Sequence, residues 1–369
     1  MSDNLIYYSS ISLNNTGADY RVAISERSGG KSYAFKLDVI SHFWETGEKF
    51  AYIRRWKDEV TQKAVVEYFD DMELDNDGNR RIYELTNGEY DCIDVYARDI
   101  YLAKYNDDGK KVRGKQMGKA FALILDTKSK SRAYVNYTRG LFEEFITDEG
   151  YLPNEIKAFK SIVSTVFRRN KAVIYLAGNT LTPVCPYFEY WKVSIRDLKQ
   201  GTITLIERPS GFTDNDGNDM MVKVAIEYPE PTGKPSQLFF DTDTMIQRGT
   251  WDTNDYPHLE GKLTDYVEWY SILFEYTQFR FWVKLLTDSN NFPFIYIYPC
   301  TKKVMSITNE MRVVSDRYSA SPLWTKNFSQ TINKYDGLVL DLLEKEKVVF
   351  SDDLTGTNFY QCINSIGGI

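Results

Sequence analysis

A short apolar run that leads straight into a glycine-rich turn and then an amphipathic helix leaves few folds open, and residues 20–43 have that form. YRVAIS (20–25) reads as a buried strand and SERSGGKS (25–32) follows it. Phe35, Val39 and Phe43 then recur at helical spacing. Such a junction sets backbone N–H groups at a helix N-terminus, where they can cradle a phosphate. The loop is close to the template G-x-x-x-x-G-K-[ST], whose lysine reaches the β- and γ-phosphates and whose hydroxyl binds Mg2+. Gly30, Lys31 and Ser32 match it, while Ser25 stands where the first glycine is expected. A bare G-K-[ST] arises by chance in about one chain in five of this length, so the weight rests on the strand before the loop and the helix after it. The expected nucleotide-binding residues are Ser25, Glu26, Arg27, Ser28, Gly29, Gly30, Lys31 and Ser32.

The same alternation continues. A strand is expected at Phe50–Arg54, a helix over 59–69, and a hairpin around 80–95 from the turn signals Asn76-Asp77-Gly78 and Asn87-Gly88. Strands follow at 120–125 and just before Glu143. Pro153 opens a helix with Ile156, Phe159, Val163, Val166 and Phe167 on one side, and AVIYLA (172–177) is a further strand ending at Gly178-Asn179. Strands alternating with helices predict an α/β domain, a mostly parallel sheet with helices on both faces. Beyond 200 the texture changes. Turn residues cluster at 214–218, PEPTGKP (229–235) reads as a linker, strands are expected at 279–286 and 292–298, and a helix at 331–346 carries Leu338, Leu342 and Leu343. The expected division is 1–228, a linker over 229–262, and a smaller α+β domain over 263–369, with Trp269, Tyr270, Phe274, Phe281 and Trp282 read as core.

Composition excludes several chemistries. His42 and His258 are the only histidines among 369 residues, too few for a multi-histidine metal site and poor material for a Ser-His-Asp triad. Cys92, Cys185, Cys300 and Cys362 form no C-x-x-C pair, which fits a reducing compartment. No basic, apolar leader opens the sequence and no apolar run approaches about 20 residues, so a soluble intracellular protein without membrane contact is expected. A net charge of -7 argues against a generic nucleic-acid binder. Charge is uneven, however: residues 104–132 hold nine basic side chains against three acidic ones, and smaller clusters occur at Arg54-Arg55-Trp56-Lys57 and Arg168-Arg169-Asn170-Lys171.

A hydrolysing site of this kind also needs a carboxylate near the metal and a base for water. LFEEFI (141–146) offers both at a strand end: Glu143 to support Mg2+, Glu144 to polarise water. Adjacent carboxylates repel unless a cation or proton separates their roles.

SERSGGKSYAF, FAYIRRWK, GLFEEFI, YLPNEIKAF, STVFRRN and AGNTLTPVCPYF occur in this order in the sequence. In that order they resemble the phi29-like DNA-packaging ATPases of small tailed phages, over about residues 15–195 and only weakly beyond 200. The resemblance implies a P-loop NTPase fold of the additional-strand, catalytic-glutamate type, followed by a ribonuclease H-like domain that has lost its nuclease acids. It implies ATP and Mg2+ as substrate and cofactor, with Lys31 as the phosphate lysine and Ser32 and Glu143 on the metal. Glu144 is the implied catalytic glutamate and Asn179 a sensor of the γ-phosphate; Arg168 and Lys130 are basic groups that act in a neighbouring subunit's site. Two departures stand out: Ser25 replaces the first glycine, and Glu143 replaces an aspartate, one methylene longer.

The function this implies is an ATP-driven motor that moves double-stranded DNA into a preformed capsid. It would work as a homo-oligomeric ring, a pentamer by resemblance, at the portal vertex in the host cytoplasm, and a packaging RNA is a further implied partner. Lys110, Lys111, Arg113, Lys115 and Lys119, in a loop expected to project, are the DNA-binding candidates. Two alternatives stay open: a terminase with an active metal-dependent nuclease drawing on Asp241, Asp243, Asp265, Glu268, Asp288 and Asp341, and a nucleotide-binding assembly protein with little hydrolysis of its own.

Overall fold

The computed structural model describes residues 7–25, 29–75, 77–126, 134–147, 150–152, 154–168, 170–180, 184–193, 198–213, 217–230, 255–276, 279–300, 311–319 and 321–365, apart from the side chains of 125, 126, 211 and 212. The chain divides into two compact units, Met1–Thr147 with Leu152–Thr180 and Ile195–Thr250, and Asp148–Tyr151 with Leu181–Ser194 and Trp251–Ile369. The division expected from the sequence, 1–228, a linker over 229–262 and 263–369, differs from this one at residues 181–194. Residues 181–194 group with the second unit, because Val184 is buried in that unit's apolar core.

The first unit is built on a nine-stranded sheet in the order β3-β4-β5-β2-β6-β7-β1-β9-β8. Its strands are β1 (Tyr20–Ser25), β2 (Lys49–Arg54), β3 (Cys92–Tyr96), β4 (Asp99–Tyr105), β5 (Lys111–Ala122), β6 (Tyr137–Glu143), β7 (Val173–Asn179), β8 (Thr202–Thr213) and β9 (Asp219–Tyr228). From β5 through β2, β6, β7 and β1 to β9 every pairing is parallel, and antiparallel hairpins finish both edges. The helices described in the N-terminal half of the chain are α1 (Ile11–Asn15), α2 (Lys31–Thr46), α3 (Gln62–Glu73), α4 (Arg81–Leu85), α5 (Leu123–Asp126), α6 (Glu155–Val166) and, in the second unit, α7 (Pro186–Trp191).

Alternation along the central strands sorts the layers. Leu141 of β6 lies in one core with Phe35, Val39 and Ile40 of α2 and Val65 and Phe69 of α3. Its neighbour Phe142 points to the other face and stacks on Phe159 of α6, ring centroids 5.5 Å apart. The result is the α/β layering that the sequence predicts, with the strands' C-terminal ends, Ser25, Arg54, Glu143 and Asn179, brought to one edge of the sheet.

Two expectations are corrected here. The hairpin lies at 92–105, not 80–95, and turns on Ala97 and Arg98, both at positive φ (48° and 70°). Asn87-Gly88 is also left-handed at both residues, but it ends α4, with Gly88 N–H donating to the Tyr83 carbonyl. Asn-Gly serves a helix end as readily as a hairpin, whereas nothing in Ala-Arg announces a turn. The second correction concerns the basic stretch. Of the expected loop residues Lys110 alone lies outside a strand: Lys111–Ala122 is a twelve-residue strand, and the expected strand residues at its end, Leu123–Leu125, are helical.

The second unit carries a six-stranded sheet in the order β14-β13-β10-β11-β12-β15, with β10 (Val267–Tyr276), β11 (Phe279–Thr287), β12 (Pro293–Pro299), β13 (Arg312–Ser315), β14 (Trp324–Thr325) and β15 (Val348–Phe350). Helices Lys334–Glu344 and Asp353–Ser365 supply Leu342, Leu343 and Phe359 to a core with Phe274, Phe281 and Ile297. Trp269 was expected in that core and is exposed instead. Trp269 is out of phase with Tyr270, Ile272 and Phe274, the residues of β10 that face this core, and a register shift lies at the same place, between Glu268 and Tyr270.

Candidate nucleotide site

The glycine-rich loop turns where the sequence demands. Gly30 sits at φ +90°, open to glycine at little strain, and α2 begins at the next residue. Lys31 and Ser32 are therefore the first two helical residues, whose N–H groups have no partner within the helix. Lys31 is 5% exposed, and its Nζ donates to Ser25 Oγ (2.9 Å), the Ser25 carbonyl (3.3 Å) and Asn179 Oδ1 (3.2 Å). The absent first glycine is accommodated because Ser25 stays in β1, opposite Asn179 of β7, and gives its hydroxyl to the lysine.

Ser32 Oγ donates to Glu143 Oε2 at 2.8 Å, and Tyr68 of α3 donates its hydroxyl to Glu143 Oε1 at 2.7 Å. Glu143 is buried, and burial pushes its carboxyl above the ordinary carboxylate range, against the Tyr68 and Ser32 hydrogen bonds, which favour the charged form. A nearby cation would favour that charged form. The Ser32–Glu143 oxygen spacing is close to the roughly 2.9 Å between adjacent ligands of an octahedral Mg2+. Among the described residues no three His, Cys, Asp or Glu side chains form a metal cluster. A hydroxyl and one carboxylate suit Mg2+, which takes its remaining ligands from water and phosphate.

Glu144 is the next residue, yet it behaves differently. Its backbone is left-handed (φ +54°) and its side chain is exposed, with Oε2 accepting from Arg54 Nη2 at 2.6 Å. Arg54, at the end of β2, also pairs with Glu59. Arg55 is buried and donates to the Glu144 carbonyl (2.9 Å), the Phe145 carbonyl (3.0 Å) and both carboxylate oxygens of Glu155 (2.9 and 3.0 Å). Gly178 lets this segment come close to β7, since a Cβ there would lie 2.7 Å from the Phe145 ring and 2.9 Å from Ile146. A cleft of about 750 Å³ opens over the loop, walled in part by Tyr7, Gly30, Lys31, Tyr33, Arg81 and Asn179. That volume is within the range of small-ligand sites.

The structure thus brings together Ser25, Gly29, Gly30, Lys31, Ser32, Glu143, Glu144 and Asn179. Glu26, Arg27, Ser28 and Lys130 lie outside the described residues. Arg168 is elsewhere: it is exposed beyond the C-terminal end of α6, where Asn170 Nδ2 donates to the carbonyl of Tyr137, the first residue of β6. Glu143 is the last residue of that seven-residue strand, about 20 Å away at 3.3 Å per residue. The cations of β5 are engaged locally. Lys111 pairs with Glu73, Arg113 with Asp94, Lys115 with Glu89 and Lys119 with Asp99, while Lys110 makes no ion pair with another described residue.

Sequence reasoning missed Tyr68 and Glu155 and saw Arg54 and Arg55 only as positive charge. The available signal was position: FAYIR is a buried strand parallel to LFE, so the residues that end the first lie beside the glutamates that end the second.

Comparison with known proteins follows the same outline. Residues 2–202 match the family described as Podovirus DNA encapsidation protein (Gp16). The DNA packaging protein of Bacillus phage B103 is 33% identical over 172 residues, and that of Bacillus phage phi29 is 31% identical over 174. Each alignment covers 46% of this chain, and 46% and 45% of the two relatives, so the matched stretch spans under half the length of either. A chain of the bacteriophage Phi-29 viral genome packaging motor assembly aligns over 98% of this chain and 99% of its own, with TM-score 0.54 and 21% identity, which shows a shared fold.

Proposed function

The chain belongs to the Podovirus DNA encapsidation protein (Gp16) family, and from that premise we propose that it is an ATPase that drives double-stranded viral DNA into a preformed capsid at the portal vertex. One observation carries the reading. Lys31, Ser32, Glu143 and Asn179 converge from β1–α2, β6 and β7 on the mouth of a loop that opens a helix. This supports a P-loop NTPase domain of the catalytic-glutamate type.

In the working site, Lys31 would exchange Ser25 and Asn179 for the β- and γ-phosphate oxygens, and the first N–H groups of α2 would cradle the phosphates. Ser32 and Glu143 would hold Mg2+, which when bound offsets phosphate charge. Asn179, freed from Lys31, would contact the γ-phosphate. Glu144 would orient the attacking water, and to do so its carboxylate must leave Arg54. Arg54 therefore competes with the water for that carboxylate.

Arg168 lies at the opposite end of β6 from Glu143, too far to serve its own site. That placement supports its action in a neighbouring subunit of a ring, where an arginine supplied in trans typically adds 10³–10⁵ in rate, roughly, in NTPases of this class. Lys130 is proposed to act beside it. A pentameric ring on the portal in the host cytoplasm, with a packaging RNA as a further partner, extends the same proposal. DNA contact from β5 would need Lys111, Arg113, Lys115 and Lys119 to trade carboxylates for phosphates, which leaves Lys110 as the readiest contact.

The second domain is proposed to be ribonuclease H-like and inactive as a nuclease. Its central strand order supports the first part: β12, β11 and β10 are antiparallel, and β13 and β14 continue in parallel. Among the described residues no three acids form a metal-holding cluster, and each candidate has a local partner: Glu268 pairs with Lys284, Asp341 with Lys345, Asp265 accepts from the Lys262 N–H, and Asp288 from the N–H groups of Asn290 and Phe292. Asp241 and Asp243 lie outside the described residues.

Steady-state ATP hydrolysis, with and without double-stranded DNA and across protein concentration, tests the reading. Turnover should rise more steeply than concentration and be stimulated by DNA. Turnover proportional to concentration and indifferent to DNA would contradict sites completed between subunits; none at any concentration would favour the assembly-protein alternative.

A further inference from the structure

We infer that Arg55 is a positioning residue for the catalytic glutamate, its guanidinium fixing the left-handed backbone of Glu144 and joining it to the first turn of α6. This rests on the ATPase reading above and adds to it the device that aims the base.

In an extended strand successive carbonyls point to opposite sides. At the end of β6 they do not. The Glu144 carbonyl accepts from Arg55 Nη1 at 2.9 Å and the Phe145 carbonyl from Nη2 at 3.0 Å, so two consecutive carbonyls face one side chain. The left-handed turn at Glu144 (φ +54°) brings this about. Glutamate is not among the residues that enter that region readily, and such outliers persist where surroundings over-determine them. Arg55 supplies the over-determination. The guanidinium is buried, with its carbon 6.0 Å from the Phe142 ring centre, and the fork that Nε and Nη2 form takes both oxygens of Glu155. Glu155 is itself buried and accepts from the Leu152 N–H at 2.9 Å.

The consequence is directional. Because the chain turns at Glu144, the glutamate side chain leaves the sheet edge toward Arg54 and solvent, while Glu143 stays inward on Ser32. Without Arg55 the turn loses both carbonyl contacts, and the base loses its fixed aim while the phosphate loop, built on β1 and α2, stays intact. A placement error of about 1 Å at a reacting group is worth on the order of 10² in rate.

Arg55→Met alone would leave the buried Glu155 carboxylate without its arginine and is expected to melt well below the wild-type chain. The informative variant is Arg55→Met with Glu155→Met, which removes both charges. Full-length wild type and double variant are compared for thermal midpoint, affinity for a fluorescent ATP analogue, and kcat and KM in DNA-stimulated hydrolysis. The double variant should regain most of the lost midpoint and bind nucleotide within about threefold of wild type, with kcat still lower by roughly 10². Recovery of kcat together with stability would show that Arg55 only holds the fold and would overturn the inference.

Should the double variant not fold, Glu155→Gln keeps the packing and weakens the fork. A fall in kcat of about tenfold at unchanged KM is then expected, and unchanged kcat overturns the claim. If wild type itself proves silent, the ATPase reading fails separately. Hydrogen exchange in residues 141–147 then decides: it should quicken in the variant while residues 20–25 stay as in wild type, and unchanged exchange overturns the inference.

Discussion

The mouth of the glycine-rich loop and the face of β5 are two charged regions of the first unit, and they are built on opposite plans. At the loop, charged and polar groups arrive singly from β1, α2, α3, β6 and β7, and Lys31 is held by a hydroxyl, a carbonyl and an amide oxygen. On β5 the cations follow one another along a single strand, and Lys111, Arg113, Lys115 and Lys119 each have a carboxylate from a neighbouring element. Density of charge in a sequence therefore says little about what charge is available. The groups assembled from separate elements are bound mostly to one another, whereas the stripe on one strand is neutralised by the elements packed against it.

The sharpest way to break this contrast is at Lys31 and Glu144. Lys31→Ala should abolish measurable turnover and weaken ATP binding about 10- to 100-fold, as expected for hydrogen bonds to a charged partner. Glu144→Gln should lower kcat by about 10²–10⁴ with nucleotide affinity nearly unchanged, since a base acts on the chemical step. Equal losses of affinity in both would mean that the two residues do not have separate roles.

Glu143 gives a subtler test through pH. Its folded-state pKa is raised above the ordinary 4.5 by burial, so the folded chain binds a proton more readily than the unfolded one in the window just above 4.5. Without nucleotide or metal, stability should therefore fall as pH rises through that window. Glu143→Gln should remove this slope, melt higher than wild type at neutral pH, and lose Mg2+-dependent nucleotide binding. A chemical denaturation series across pH checks all three; an identical slope in the variant would place the burial penalty elsewhere.

The smallest effects belong to β5 and to Lys110 just before it. Lys110→Ala should reduce the slope of log binding constant against log salt for double-stranded DNA by about 0.9, the loss of one phosphate contact. Lys119, whose side chain is 13% exposed and bound to Asp99, should leave that slope unchanged when replaced by alanine and lower stability by about 1 kcal/mol or less. Equal slopes in the two variants would erase the distinction between free and paired cations.

Much of the first unit was legible because its signals are local. YRVAIS, FAYIR and AVIYLA are runs of buried apolar residues, and each became a parallel strand at nearly the expected bounds. Glu143, Glu144 and Lys31 could be named because their spacing from strand ends is itself the pattern. What stayed hidden depended on tertiary partners. The positive φ of Ala97, Arg98 and Glu144 has no sequence signature. Arg55 looks like any basic residue until Glu155, a hundred positions later, is folded against it. In the second unit Trp269 is exposed because it is out of phase with Ile272 and Phe274 on its strand, which a reading based on hydrophobicity alone does not see.

The most direct test of the central claim, that catalysis joins Glu144 of one subunit to Arg168 of the next, is complementation between Glu144→Gln and Arg168→Ala chains. Each should be nearly silent alone with DNA and ATP. Mixed, an Arg168→Ala subunit keeps its own Glu144 and receives Arg168 from a Glu144→Gln neighbour, so turnover should reappear and peak at intermediate ratios. Silence at every ratio, under conditions where the wild-type chain hydrolyses ATP, would contradict the account.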